Sequence, residues 1–257
     1  MSSSKLRVLM LCGNDQSSRI MYHGLTSDVN VVCVILESSP PTKKIIKRRM
    51  KRLGTLKVIG QLMFVALNKI LSRAAQDRMR RLISDYKLND AAFPEDVVKH
   101  VESINSEDVI ELLNDLKPDV VVVNGTRIIS KAVLSSTPVH FINTHMGITP
   151  RYRGVHGGYW ALAKQDHDNC GVTVHLVDQG IDTGGVLYQD IIQTGRHDNL
   201  NTYSIHQIAK AIPLMKAALN DVRENQVTVK QGVLPSCLWY HPTLFEYLIN
   251  WVGKGVK

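Results

Sequence analysis

The sequence predicts an α/β protein. Short apolar runs rich in β-branched residues occur at 8–12, 29–36 and 118–124, and segments with helical patterns separate them. The third run is apolar at each of its four central positions, which is typical of a parallel strand buried on both faces. We therefore predict a Rossmann-like, open and mostly parallel sheet, with a functional site at the carboxyl ends of its strands.

The chain has 257 residues, of which 44% are hydrophobic, and this is enough for one α/β domain with a substantial core. We expect a catalytic core over 1–197 that carries a basic helical insert at about 40–90. A C-terminal helix and a short aromatic-rich extension are expected over 198–257. The aromatic residues of 232–251 predict docking on the core or a dimer contact.

The cysteines and the first residues indicate the compartment. The four cysteines are scattered without a Cys-x-x-Cys pair, which favours a reducing compartment and predicts neither a disulfide framework nor a zinc site. The first apolar run is short and ends at Gly13, unlike a secretory signal. We therefore expect a cytoplasmic protein.

The run at 8–12 is the predicted first strand, and residues 13–18 form the turn into the first helix. A turn between a strand and a helix can offer backbone N–H groups to an anion. Asn14 is our candidate for substrate binding here. Because Gly13 is the only glycine of this turn, an ordinary turn with serine caps is an equal alternative.

The insert holds the basic excess of the chain. Between Lys43 and Arg81 there are thirteen Lys or Arg and one acid, a net charge of +12 against +8 for the whole chain. Helices are predicted at about 42–53 and 56–83. The apolar middle, 58–67, has ten residues and is therefore expected to pack on the core or on a second subunit, since a membrane span needs about 20. The charge predicts a solvated face, a funnel for an anionic substrate, or contact with nucleic acid or an anionic membrane.

Residues 84–106 are expected to be irregular, and helices are predicted from Ser106 and at about 131–136. Asn143 and His145 then end an apolar run and, if the run is a strand, point to the same face. An amide can donate to a developing oxyanion while an imidazole moves a proton. Asp182 follows in a Gly-flanked turn and can hold the imidazole in one tautomer and raise its pKa. Taken singly, each of these residue types is more often a turn or surface residue.

The remaining segments frame these residues. The stretch 150–158 is rich in glycine and in hydrogen-bond donors, and Tyr152, Arg153 and His156 are candidates for substrate contact. A helix is predicted over 158–164, followed by strands over 171–178 and 185–193 that the Asp182 loop connects. An amphipathic helix is predicted over 201–224.

Several motifs occur in an order that resembles a known family. They are Asn-x-His at 143–145, Pro-x-Tyr-Arg-Gly at 150–154, Gly-Val-Thr-Val-His-Leu-Val-Asp at 171–178 and Gly-Ile-Asp-Thr-Gly-Gly at 180–185. From about 118 to 193 the chain resembles the formyltransferases that use 10-formyltetrahydrofolate as donor. This resemblance implies the formyltransferase fold and N-formyltransferase activity.

The resemblance also implies roles for particular residues. Thr126 to Ile129 would line the pterin pocket, with backbone hydrogen bonds from Arg127 and Ile129 and an apolar wall from Ile128. Asp178 would belong to the second pterin wall, and His175 would lie beside the folate or make a cross-strand hydrogen bond. Asn143, protonated His145 and Asp182 would be the catalytic residues, and no metal is required.

The acceptor is less defined. The form Asn-Thr-His-x-Gly-Ile-Thr-Pro is similar to that of sugar N-formyltransferases, which implies a GDP- or dTDP-linked amino-deoxy sugar used for lipopolysaccharide O-antigen synthesis. The alternatives are glycinamide ribonucleotide formyltransferase, formyltetrahydrofolate hydrolase and a non-catalytic module that binds anions or nucleic acid. About sixty residues follow the last predicted strand, fewer than the tRNA-binding barrel of methionyl-tRNA formyltransferases. We therefore expect small-molecule partners, no nucleic acid, no transmembrane segment and a possible homodimer.

Overall fold

The computed structural model describes residues 5–38 and 42–257. The strands are β1 (Arg7–Cys12), β2 (Asn30–Glu37), β3 (Val98–Val101), β4 (Val120–Asn124), β5 (His140–His145), β6 (Arg153–Gly154), β7 (Gly171–Leu176), β8 (Val186–Ile191) and β9 (Leu238–Trp239). The α-helices are α1 (Gln16–Leu25), α2 (Thr42–Leu53), α3 (Thr55–Asp85), α4 (Glu107–Leu116), α5 (Lys131–Leu134), α6 (Gly157–Ala163), α7 (Leu200–Arg223) and α8 (Leu244–Lys254).

Seven of the strands form one sheet in the order β3-β2-β1-β4-β5-β7-β8. The strands from β3 to β5 in this order are parallel, whereas β7 runs antiparallel to β5 and β8 antiparallel to β7. A short parallel pair, β6 with β9, lies outside this sheet. The predicted α/β class with a mostly parallel open sheet is confirmed.

One strand of the sheet was not predicted. Residues 98–101, within the stretch expected to be irregular, form β3 at the edge of the sheet and pair with β2. The side chains of Lys99 and His100 are exposed, and only Val101 is buried. An edge strand with one buried residue has no apolar run. The other strands were predicted from such runs, so β3 could not be predicted in the same way.

Side chains of the central strands alternate between two cores. Met10 and Val122 pack on one face with Ile208 and Met215 of α7, while Leu11 on the other face packs in the cluster that includes α4. Helix α7 begins at Leu200, after the predicted end of the catalytic core at 197. Its side chains nevertheless form part of the core that packs on the central strands.

The two helices predicted for the basic insert are confirmed as α2 and α3. On α3, Val58, Phe64, Ala75 and Leu82 are buried, so this helix packs on the core through one face. Ile59, Leu62, Met63 and Val65 of its apolar middle are exposed, so this segment packs on the core only in part, and packing on a second subunit stays a prediction. By length and composition alone α3 is able to cross a membrane, although only 17% of its most apolar 18-residue window is buried.

Candidate active site

The candidate site lies where β4, β5 and β7 meet. Asn143 and His145 stand at the carboxyl end of β5, and Asn143 is the direct cross-strand neighbour of His175 on β7. Asn143 Nδ2 lies 3.1 Å from His175 Nε2, and His175 Nδ1 lies 2.6 Å from the carbonyl oxygen of Leu176. A neutral His175 with its proton on Nδ1 satisfies both contacts, because Nε2 then accepts from the Asn143 amide. The cross-strand hydrogen bond expected as an alternative for His175 is therefore present.

Asp182 lies within reach of both β5 side chains. Its Oδ2 atom is 3.3 Å from His145 Nδ1, and its Oδ1 atom is 3.5 Å from Asn143 Nδ2. The backbone N–H of Gly154 donates to Oδ2 at 2.9 Å. The structure thus brings together the three side chains predicted to be catalytic, from positions up to 39 residues apart.

The loop that carries Asp182 is held in a defined conformation. Asp182 has a φ of +50°, in the left-handed region that aspartate tolerates better than most residues. The guanidinium of Arg153 donates to the carbonyl oxygen of Ile181 at 3.0 Å. Arg153 therefore holds this loop, and contact of its side chain with substrate stays a prediction.

The electrostatics of the site favour an ionised aspartate. Burial opposes ionisation of Asp182, but His145, His175 and the Gly154 N–H outweigh it and lower the pKa of this carboxyl to about 2. Burial lowers the pKa of His145, and Asp182 and the carbonyl of Tyr152 offset that effect only in part. The lowered pKa favours a neutral His145 at neutral pH, whereas the resemblance implied a protonated one.

Both ring nitrogens of His145 face acceptors. Nε2 lies 2.6 Å from the carbonyl oxygen of Tyr152, and Nδ1 faces Asp182. A proton taken up by the ring during a reaction would therefore find an acceptor at each nitrogen. This arrangement suits His145 to receive a proton and hold it briefly.

A cavity of about 430 Å³ opens onto these residues. This volume is in the range of small-molecule sites. Its wall includes, from the predicted set, Thr126, Arg127, Ile128, Ile129, Asn143, His145, His156, His175, Asp178 and Asp182. The segments predicted for folate binding and the residues predicted for catalysis thus share one cavity.

Residues 126–129 form a part of the cavity wall that has one exposed apolar side chain, as expected where a flat ring binds. Ile128 is 51% exposed, an unusual exposure for a large apolar side chain, whereas Ile129 is buried in the core. Arg127 forms an ion pair with Glu37, and Asn105 donates to the carbonyl oxygen of Ile128 at 3.0 Å. The loop is held from outside the cavity while Ile128 presents an apolar surface to its interior.

Two predicted substrate residues lie elsewhere. Tyr152 is 1% exposed, its ring stacks on Trp239, and its hydroxyl donates to Asp166 at 2.7 Å. Its side chain therefore belongs to the core, and only its carbonyl reaches the site. Asn14 is exposed and lines a separate groove with Phe93.

Helices α6 and α7 supply part of the cavity wall that the sequence did not reveal. The wall also contains Tyr159, Leu200, Tyr203, Ser204 and Gln207. Each fits a helical pattern of core or surface residues, so no local motif marked them. Their role depends on how α7 crosses the sheet.

The family comparison agrees with this geometry. A family model described as formyl transferase matches residues 25–211. The methionyl-tRNA formyltransferase of Finegoldia magna is 36% identical over 119 residues, which cover 43% of this chain and 38% of that protein. Matches to other methionyl-tRNA formyltransferases cover 28% to 51% of their lengths, so the chain spans about half or less of the curated relatives.

Solved structures share the fold at low sequence identity. A sugar N-formyltransferase from a Shewanella species superposes with a TM-score of 0.58 at 14% identity, over 91% of this chain and 76% of that one. Phosphoribosylglycinamide formyltransferase from Anaplasma phagocytophilum gives 0.58 at 16% identity, over 91% and 98%. The same sheet therefore occurs in proteins named for different acceptors.

Proposed function

The chain belongs to the formyl transferase family, and we propose that it transfers a formyl group from 10-formyltetrahydrofolate to the primary amine of a nucleotide-linked amino-deoxy sugar. The observation that carries the proposal is the cluster of Asn143, His145 and Asp182 on the wall of the 430 Å³ cavity. An amide donor, an imidazole and an ionised carboxylate can supply the oxyanion stabilisation and the proton transfer that formyl transfer to an amine needs.

The folate would bind between the segments 126–129 and 178–182. Ile128 offers an exposed apolar side chain to one face of a pterin ring. Asp178 holds its own loop, because its Oδ1 accepts from Thr183 Oγ1 at 2.7 Å and from Gly180 N at 2.9 Å. A loop fixed in this way keeps its backbone groups in place for hydrogen bonds with the pterin.

The reaction then needs one oxyanion donor and one proton acceptor. The neutral amine attacks the formyl carbon, a C–N bond forms, and the electron pair of the carbonyl moves to oxygen. The second amide hydrogen of Asn143 is available to this oxygen, since it makes only a 3.5 Å contact with Asp182. The amine proton passes to His145, directly or through a water, and ionised Asp182 stabilises the imidazolium. The bond from the formyl carbon to folate N10 breaks, and N10 takes up a proton.

The acceptor side of the cavity supports a small polar substrate. Ser204 and His156 border it with the rings of Tyr159 and Tyr203. Tyr159 and Tyr203 are only 1% and 5% exposed, so it is the hydroxyl and imidazole groups of this wall that suit the polar edges of a sugar. The Asn-Thr-His-x-Gly-Ile-Thr-Pro motif at 143–150 supports the same choice.

Methionyl-tRNA is the second candidate acceptor, because the curated sequence relatives are methionyl-tRNA formyltransferases. Glycinamide ribonucleotide is a third, since solved structures with this fold include transformylases for it. All three acceptors present a primary amine to the same donor, and the catalytic cluster does not discriminate among them.

The test is release of tetrahydrofolate by the purified full chain, with the formylated product identified by mass spectrometry. The acceptors are GDP- and dTDP-linked amino sugars, glycinamide ribonucleotide and methionyl-tRNA, each alone. We expect release that depends on one amino sugar and is lost in His145→Gln and Asp182→Asn. Asp115→Asn, a change of the same charge at an exposed site on α4, is the control.

The other outcomes are distinct. Release only with methionyl-tRNA or glycinamide ribonucleotide would replace the proposed acceptor and leave the reaction intact. Release without any acceptor would indicate a hydrolase. No release with any acceptor, from protein that binds folate, would overturn the catalytic proposal.

A further inference from the structure

Two helices outside the catalytic cavity expose apolar stripes. On α8, Phe245, Leu248, Ile249 and Val252 follow the spacing i, i+3, i+4, i+7, which places them on one face of the helix. Their exposed fractions are 73%, 38%, 51% and 87%. On α3, the exposed apolar side chains that share one face of the helix are Leu56, Ile59, Met63 and Ile70. We call these eight side chains the apolar surface.

The two stripes adjoin each other. Leu56 and Met63 from α3 and Phe245 and Leu248 from α8 line one groove of about 560 Å³. A continuous apolar area shared by two helices marks an interaction site more strongly than scattered exposed residues do.

The opposite faces of both helices are fixed to the protein. Phe64 packs against Tyr247, with ring centroids 5.1 Å apart, and both side chains are buried. Gln61 Nε2 donates to the carbonyl oxygen of His241 at 2.8 Å. Helix α3 therefore cannot cross a membrane without leaving its core contacts, and the apolar surface is presented outward on a rigid support.

A strongly basic helix lies beside this surface. Helix α2 contains seven Lys or Arg and no acid in 12 residues, and Gly54 alone separates it from α3. The guanidinium carbon of Arg52 lies 5.6 Å from the centroid of the Tyr240 ring. Tyr240 stands three residues before Thr243, which caps the start of α8. The exposed basic side chains follow helical spacing and define the basic face: Lys43, Lys47, Arg48, Lys51 and Arg52.

We propose that the apolar surface and the basic face together bind the surface of an anionic membrane. Apolar side chains enter the boundary of the acyl region, and Lys and Arg beside them attract anionic headgroups. The apolar surface matches the boundary of the acyl region, and the basic face matches the layer of anionic headgroups. The protein binds in this way as a peripheral partner, with α3 lying in the interface.

Two other occupants fit less well. A second copy of this chain would bring two helices of seven positive charges close together, and like charges repel. A nucleic acid would engage the charges and leave the apolar side chains unused. Only an anionic lipid surface uses both features.

The test is co-sedimentation of the full chain with vesicles of phosphatidylcholine alone or of equal parts phosphatidylcholine and phosphatidylglycerol. We expect binding to the anionic vesicles that weakens with salt, and little binding to the neutral ones. A Lys or Arg near such a surface contributes about fivefold in affinity. Replacing Lys47, Arg48, Lys51 and Arg52 with Gln should therefore lower binding by roughly a hundredfold or more.

A second set of variants removes the apolar contribution. Leu56→Ser, Phe245→Ser and Val252→Ser change side chains that are 73% to 87% exposed, so folding should be retained. The triple variant should lose about a thousandfold or more in vesicle affinity, since each buried apolar side chain contributes about tenfold or more. Folate turnover by both sets of variants should remain at the wild-type level.

Matched controls distinguish binding by this surface from binding by any exposed charge or apolar side chain. Val233 is 92% exposed on a different segment, and Val233→Ser should leave vesicle binding unchanged. The charge control replaces four exposed lysines outside α2 with Gln, at Lys87, Lys99, Lys117 and Lys131.

Three results would overturn the proposal. The first is no binding to anionic vesicles. The second is tight binding to an oligonucleotide that the charge variant abolishes and the serine variant leaves intact, in the absence of vesicle binding. The third is a dimer in sedimentation velocity that the serine variant dissociates, because the apolar surface would then already be covered.

Discussion

His145 Nδ1 lies 3.3 Å from Asp182 Oδ2, and this contact joins the end of β5 to the loop between β7 and β8. The same carboxylate accepts from Gly154 N at 2.9 Å. Asp182 remains ionised because these partners lower the pKa of its carboxyl to about 2 in spite of burial. The pair thus consists of a fixed negative charge and an imidazole whose proton affinity depends on it.

Asp182→Asn should lower turnover by about a thousandfold, because the imidazolium formed during transfer loses its counter-charge. In the wild type, turnover should fall in acid as His145 becomes protonated. Burial lowers the pKa of His145, so this fall should lie below its ordinary value of 6.5. Because the Asp182 carboxylate raises that pKa, its removal should move the residual acid limb to still lower pH.

The measurement is the pH dependence of kcat for the wild type, Asp182→Asn and the Asp115→Asn control. A limb that moves to higher pH in Asp182→Asn would contradict the coupling. A wild-type limb well above pH 6.5 would contradict the assignment of a neutral His145.

Asn143→Ala should lower kcat by about 100- to 1000-fold, since removal of one oxyanion donor has that effect in other enzymes. The donor acts mainly on charge that develops in the transition state, so KM for the folate should change little. Steady-state kinetics with varied folate checks both values. Asn114→Ala on the exposed part of α4 is the control, and a rise in KM with unchanged kcat would assign Asn143 to binding instead.

Gly147→Ala should reduce both stability and activity. A Cβ atom at Gly147 would collide with the carbonyl oxygen of Tyr152 and lie 2.9 Å from His145 Nε2, so the acceptor of that nitrogen must shift. Crowding of this kind typically costs about 1–3 kcal/mol of the free energy of unfolding. Thermal unfolding and turnover measure the two effects.

Gly253→Ala is the matched control for this substitution. A Cβ atom there meets nothing within 4 Å, and Gly253 lies within α8. Alanine should therefore leave activity unchanged and stabilise the helix by up to about 1 kcal/mol. Equal loss of activity in both variants would show that contact with His145 is not the cause.

Asp198→Asn should destabilise the junction of α3 and α7. The Asp198 carboxylate, 1% exposed, lies 3.0 Å from Arg78 Nε and 3.1 Å from His206 Nε2. Removal of one member of such a buried group costs about 3 kcal/mol of unfolding free energy. Asp77→Asn on the exposed side of α3 should have no measurable effect.

The pH dependence of this effect has a defined sign. Burial disfavours the carboxylate of Asp198, but Arg78, the Gly195 N–H and His206 outweigh burial and lower the pKa below 3.8. A carboxyl whose pKa is lower in the folded state stabilises that state at pH values above its unfolded-state pKa. This contribution is lost as the pH falls through its folded-state pKa. Chemical denaturation should therefore show a difference between wild type and variant at neutral pH that shrinks below about pH 4. A difference that grows in acid would contradict the assignment.

Much of the sheet was predictable because its strands are locally encoded. Strand β4 is buried at every position and reads as an apolar run, and β5 places Asn143 and His145 two apart at its end. The order of motifs around these residues predicted the family. It also predicted the cluster of Asn143, His145 and Asp182. Strand β3 was missed because one buried residue in four leaves no pattern.

The cavity wall shows the limit of local reasoning. Tyr152 was expected to touch substrate because it stands in a Gly-rich segment with many donors, yet Trp239, 87 residues later, covers its ring. Tyr203 and Gln207 carry no motif and reach the cavity because α7 packs across β7. A side chain's exposure depends on distant segments, which spacing along the chain does not reveal.

The sequence by itself determined the α/β class, the two helices of the basic insert and the residues Asn143, His145 and Asp182, because periodicity and short motifs are local properties. Only the tertiary structure decided the direction of the pKa shift of His145, the cavity wall from α6 and α7, and the exposure of one face of α3. Burial sets a pKa, a cavity and an exposed surface, and burial is the sum of contacts between segments far apart in the chain.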